Sequence, residues 1–209
     1  MRKFLMIAAT AMAAVALPAA ATTVDFEAGP FGSQPEGFSA VGVPQLTFFS
    51  ANGSGLLTGN FGTQGNGNSL AVLDDANDNF LIGKFASAQN SLSLGFGNDD
   101  PNFTNPGDLA TLKLFSGATL VSTVTVVLNR DDIYNQFISY TGSSFNSFSF
   151  AYTDPSGSPF TGGGNATIGL IEVVDDITFS ARAVPEPATV AVMALGLGML
   201  GALRRRARA

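Results

Sequence analysis

"SFSFAY", residues 147–152, alternates small and large side chains through Ser147-Phe148-Ser149-Phe150-Ala151-Tyr152. A period of two puts Phe148, Phe150 and Tyr152 on one face of a strand and Ser147, Ser149 and Ala151 on the other. Upstream, Thr111-Leu112-Lys113-Leu114-Phe115 alternates in the same way. Ser116-Gly117-Ala118 then reads as a hairpin turn, joining the strand at Leu112 to the one at Val121. Similar runs, divided by Gly, Asn, Asp and Pro, predict strands near Thr23–Glu27, Gln45–Ser50, Ser69–Leu73, Phe80–Phe85, Ser91–Phe96, Ala110–Phe115, Leu120–Leu128, Asn135–Tyr140, Ser147–Tyr152 and Gly169–Ser180. No amphipathic helix interrupts them. Short strands spaced by turns predict an all-β fold, a single antiparallel β-sandwich of jelly-roll type. Gly59 to Asn68 reads as a long loop, without a repeat period or a phosphate-binding pattern.

The two ends follow other rules. Met1-Arg2-Lys3 is a positive start, Phe4 to Leu17 is apolar, and Pro18-Ala19-Ala20-Ala21 supplies small residues for cleavage. That order is a secretory signal peptide, residues 1–21, cut after Ala21. At the other end, Ala188 to Leu203 is a run of 16 uncharged residues. As a helix it spans about 24 Å, against ~30 Å for a hydrocarbon core, so it reads as a short transmembrane helix over 188–203. Arg204, Arg205, Arg206 and Arg208 follow at once. They would stay cytoplasmic and leave everything before Val184 outside.

Signal peptide, Val184-Pro185-Glu186-Pro187, short glycine-containing apolar helix and arginine cluster together resemble the PEP-CTERM class of bacterial surface proteins. The resemblance covers residues 184–209. It implies sorting by an exosortase, a membrane-embedded cysteine protease or transpeptidase, in Gram-negative bacteria that make exopolysaccharide. Pro185, Glu186 and Pro187 would be the recognition motif. The helix, with Arg204, Arg205 and Arg206, would hold the protein at the membrane only until processing.

The domain between, residues 22–183, has 15 acidic and four basic residues, a net charge of −11. Such a surface repels nucleic acid and anionic membranes. The chain has no cysteine and no histidine, which removes disulfides, zinc-thiolate sites and every histidine-based catalytic arrangement. It has no tryptophan, and its 18 phenylalanines fall mostly at alternating strand positions, as core residues do. Tyr134, Tyr140 and Tyr152 are the rings with a polar handle, and Tyr134, which follows a turn, is the candidate for exposure.

Two carboxylate stretches stand out. In Val24-Asp25-Phe26-Glu27, core-facing Val24 and Phe26 put Asp25 and Glu27 on the opposite face. In Ile171-Glu172-Val173-Val174-Asp175-Asp176-Ile177-Thr178-Phe179, Asp175 falls in the register of Ile171, Val173, Ile177 and Phe179. Either a bulge rotates it outward or it stays inside and needs a partner. Phe26-Glu27 and Asp175-Asp176-Ile177, with the strand count, resemble the opening and closing strands of jelly-roll carbohydrate-binding modules. That resemblance implies a structural Ca²⁺ near Glu27 and Asp175, with Asp25 and Asp176 next. Asp75-x-Asn77-x-Asn79 imitates the start of an EF-hand, but Phe80 and Ala86 stand where its Gly and Glu belong, so this stretch reads as a solvated loop. Asn98-Asp99-Asp100-Pro101-Asn102 and Asp131-Asp132 read as turns.

The sequence therefore predicts a non-enzymatic cell-surface or matrix component associated with exopolysaccharide. A glycan-binding module with structural calcium and a carboxylate-only glycoside hydrolase are the alternatives.

Overall fold

The computed structural model describes residues 20–73, 79–159 and 171–181. The body of the signal peptide, Asp74–Asp78 of the acidic stretch, the start of the last predicted strand, and the whole of 184–209 with Pro185, Glu186, Pro187, Arg204, Arg205 and Arg206 lie outside them. Residues 20–181 form one compact unit, which contains every described strand and the core.

Ten antiparallel strands make the fold: β1 (Thr22–Val24), β2 (Gly32–Gln34), β3 (Leu46–Ser50), β4 (Leu56–Asn60), β5 (Asn68–Val72), β6 (Leu81–Phe96), β7 (Leu109–Ser116), β8 (Thr119–Val127), β9 (Gln136–Thr153) and β10 (Val173–Ser180). They hydrogen-bond in the order β2-β4-β5-β10-β6-β9-β7-β8, with β1 on β10 and β3 on β6.

The continuous ladder doubles over into two layers. Leu81, at the start of β6, pairs with Phe150 of β9, and Phe96 ends β6. A straight strand of that length would carry Phe96 about 50 Å from Leu81. Yet the Phe96 and Phe150 ring centroids are 5.5 Å apart. The fold-over lies where the β6–β9 register shifts, between Lys84 and Ser91. Phe85 sits at this corner, its ring within 6 Å of Phe145, Phe148 and Phe179 at 5.8, 5.8 and 4.9 Å. One layer holds β3, the first half of β6, the second half of β9, β7 and β8. The other holds β2, β4, β5, β10, β1, the second half of β6 and the first half of β9. The expected all-β antiparallel sandwich is thus formed.

Phe148, Phe150 and Tyr152 enter the core as their alternation predicts, with Leu112 and Leu114 of β7. The hairpin turn is Gly117-Ala118, between β7 and β8. Some expectations are corrected. The strands predicted at Phe80–Phe85 and Ser91–Phe96 are one strand, β6, and those at Asn135–Tyr140 and Ser147–Tyr152 are one strand, β9. Asn90, Gly142 and Asn146 in the segments between them do not end the strands, because β6 and β9 stay paired across the register shifts, and each long strand bends rather than breaks. β2 and β4 were not foreseen: Gly32-Ser33-Gln34 is too short to show a period, and β4 ends in Gly59-Asn60, which read as the start of a loop. The long loop at Gly59–Asn68 is consequently shorter, since Gly59 and Asn60 belong to β4 and Asn68 opens β5. Phe31, Phe103 and Phe137 are exceptions to the core assignment and stand exposed.

Candidate functional site

The first candidate is the carboxylate group drawn from both ends of the domain. Val24 and Phe26 are buried, and Asp25 and Glu27 are exposed, as predicted. Glu27 reaches across to β5, where Oε1 accepts from the Asn68 backbone N–H at 2.9 Å and Oε2 from Asn68 Nδ2 at 2.8 Å. Gly67 makes this approach possible: it holds φ +79°, and a Cβ there would collide with the Glu27 carboxylate.

Asp175 combines the two outcomes that the sequence leaves open. Its partner on β6 is Gly95, and the register shifts before Thr178, so a bulge separates Asp175 from Ile177 and Phe179. The bulge moves Asp175 to the face opposite those two core residues. It is nevertheless fully buried, because Tyr134 covers it across Gly95, where any Cβ would strike the phenol. Asp176, in the left-handed region at φ +48°, absorbs the bulge. Asp175 is not left without partners. Ser69 Oγ donates to its Oδ2 at 3.1 Å, and the Asp176 backbone N–H donates to its Oδ1 at 2.7 Å. Asp176 Oδ2 accepts from Tyr134 OH at 2.9 Å and Asn66 Nδ2 at 3.1 Å. Burial, with the charges of Asp176 and Glu27 adding to it, raises the Asp175 carboxyl to about 7. Burial, then the hydrogen bond to Asp176, pushes the Tyr134 phenol well up.

Of the four residues implied as calcium ligands, Glu27, Asp175 and Asp176 share one neighbourhood. Asp25 does not join them; its Oδ1 accepts from the Glu27 backbone N–H at 3.3 Å. Both oxygens of Glu27 and of Asp175, and Oδ2 of Asp176, face N–H and O–H donors, whose hydrogens take directions a cation would need. Among the described residues no group of three or more acidic side chains is placed to hold a metal ion. In this arrangement the donor set does not fit Ca²⁺.

A second set of buried polar groups draws on the stretches read as turns and on the last predicted strand. Asp99 is buried and accepts from the backbone N–H groups of Arg130 at 2.6 Å and Asp132 at 2.9 Å. It holds the two left-handed residues Arg130 and Asp132 in their turn. Glu172 is buried beside Tyr152, whose backbone N–H donates to Glu172 Oε1 at 3.3 Å. Burial, then the Glu172 charge, drives the Tyr152 phenol far above its ordinary range. Asn79, at the end of the EF-hand-like stretch, is buried rather than solvated.

The third candidate is a half-open hollow of about 370 Å³ on the outer face of the β3–β6–β9–β7–β8 layer. Its floor is the outward row of small side chains on β9, Ser147, Ser149, Ala151 and Thr153. Thr111, Lys113 and Phe115 of β7 flank one side, with Phe80 and Ile82 on the other and Pro159 at an end. Ser149 lies between Ile82 and Lys113 in the ladder, and Ser147 between Lys84 and Phe115. Lys84 stands over the Phe49 ring at 4.4 Å on the same face. Strand spacings place the two lysines about 12 Å apart. No carboxylate belongs to the described lining. The Thr111 and Thr153 hydroxyls bond to each other at 2.8 Å. The remaining serine hydroxyls, aromatic rings and a lysine in a concavity suit a polyhydroxylated ligand: ring C–H faces on the phenylalanines, hydroxyls on Ser147, Ser149 and Lys113. The alternation placed these side chains on shared faces; that this face is hollowed depends on the turn carrying Pro159, which a local pattern does not show.

Residues 183–207 match the PEP-CTERM protein-sorting motif. The chain carries that motif, which marks an exported protein sorted to the cell envelope or surface and processed by an exosortase. No curated protein matches the chain. Among solved structures, it is similar to a "Xylan-Binding Domain from CBM 22, formally x6b domain", at 11% identity and a TM-score of 0.42, over 78% of this chain and 95% of that one.

Proposed function

We propose that residues 22–183 are the mature body of a non-enzymatic surface or matrix component that holds exopolysaccharide in the hollow of the β3–β6–β9–β7–β8 layer. Residues 1–21 direct export across the inner membrane of a Gram-negative cell. Residues 184–209 anchor the protein there until an exosortase acts at Pro185-Glu186-Pro187, after which the body is released to the surface or beyond it. The observation that carries the reading is the lining of the hollow. Both lysines of residues 22–183 lie on its face, in a body of net charge −11. That segregation favours an anionic polymer over a neutral one. A hydrolase reading is disfavoured, because the hollow offers no described carboxylate pair.

Retention on immobilised exopolysaccharide from the producing cell tests the binding. Phe115→Ala should weaken it about tenfold with an unchanged melting temperature. Lys84→Ala/Lys113→Ala should weaken binding of anionic polymers and flatten its salt dependence. No retention of the wild type, or equal retention of Phe115→Ala, would refute the assignment. Intact mass of the protein from the cell surface tests the sorting: the expected product begins at Thr22 and ends within Pro185–Pro187.

A further inference from the structure

We propose that the outer edge of β8 pairs with the same edge of a second copy of this chain, giving a twofold antiparallel dimer. β8 ends the sheet, bonded on one side to β7, and nothing else among the described residues pairs with it. An unpaired strand edge presents a row of N–H and C=O groups that template another strand. Proteins blunt such edges with charge, proline, bulges or shortness. β8 shows none of these over Ser122–Val127, where its register with β7 is unbroken. It is nine residues long, Thr-Leu-Val-Ser-Thr-Val-Thr-Val-Val, all β-formers or small.

Three observations select a second copy as the occupant. No charged residue occurs from Leu114 to Asn129, in a body of net charge −11. A self-paired seam therefore brings no like charges face to face, whereas pairing through most other surfaces of this acidic body would. Next, Val121, Val124 and Val126 are half-buried and already pack against the core. The same valines arriving from a second β8 would cover their open side and continue the core across the seam. Finally, the other strand edges are closed to β8. β3, at the far edge of the same layer, is covered at Phe48, whose backbone N–H donates to the Phe38 carbonyl at 2.7 Å and whose carbonyl accepts from the Gly37 N–H at 2.9 Å. β1 and β2, in the other layer, have three residues each and are too short to accept β8 head-to-tail. Pairing therefore closes at two copies instead of growing a filament.

The geometry has a consequence. The twofold axis of an antiparallel pair stands perpendicular to the sheet, so both hollows face the same way. A dimer presents two hollows and four lysines on one continuous face, an arrangement that gains avidity on a polymer.

Sedimentation equilibrium of residues 20–181, the unit that encloses its own core, tests this. A dimer is expected that tightens as salt screens the net charge. Thr123→Asp/Thr125→Asp puts like charges along the seam and should weaken dimerisation about tenfold or more. Both side chains are exposed, so the melting temperature should hold. Thr123→Val/Thr125→Val should remain dimeric. A wild-type monomer, a dimer insensitive to the Asp pair, or open-ended aggregates would each overturn the proposal. Polysaccharide binding by a monomer would leave the functional reading standing while removing this one.

Discussion

Asp175 shows how one residue ties the chain ends together. Its carboxyl is raised to about 7 by burial. Its folded value thus exceeds the unfolded one of about 4, and the folded state binds the proton more tightly. Stability from this group is complete below pH ~4 and is lost as pH rises through about 7. Thermal melts from pH 4 to 8 should show a decline of a few kcal/mol at most across that window. Asp175→Asn should remove the decline, since its Oδ1 can still accept from Asp176 and its Nδ2 can donate to Ser69 Oγ. A variant as pH-sensitive as wild type would assign the effect to another group. At the same cluster, Gly67→Ala meets both a left-handed backbone and the Glu27 carboxylate, and should cost about 1–3 kcal/mol in urea unfolding. Millimolar Ca²⁺ should leave the melting temperature unchanged, because protein donors already occupy the carboxylate oxygens; a rise of several degrees would restore the calcium reading.

At the scale of elements, the two long strands decide the architecture. β6 and β9 each serve both layers, and Phe85 packs at the corner between them. Phe85→Ala should cost about 3–5 kcal/mol in denaturant unfolding, with both layers melting together. Loss of only one layer would show that the corner does not couple them. The alternation at Ser147–Tyr152 and Thr111–Phe115 was legible because a period of two needs only the local chain. The joining of Phe80–Phe85 to Ser91–Phe96 was not. Whether Ala86–Asn90 turns or bends depends on the partner strand, which is more than 50 residues away, at Gln89↔Phe145. β2 and β4 exist for the same reason: β5 offers its edge to β4, and β4 to β2.

For the whole molecule, the sandwich is one compact unit and the sorting motif is a separate stretch of chain. Replacing Arg204, Arg205 and Arg206 with Ser should release uncleaved precursor that still carries residues 184–209, detected by intact mass in the medium. Retention and normal processing of that variant would mean that the arginines do not hold the chain.

The PEP-CTERM motif, the all-β class, the inward row of Phe148, Phe150 and Tyr152, and the excess of negative charge were determined by the sequence itself. Each follows from local periodicity, hydropathy or a count. The tertiary structure alone decided that Asp175 lies buried on the face away from Ile177, and that Asp99 anchors a distant turn. It alone gathered the two lysines beside one hollow and left β8 at an open edge. Those outcomes depend on strand pairing between residues far apart in the chain, where one bulge reverses a face and the position of a strand in the sheet sets whether its edge is covered.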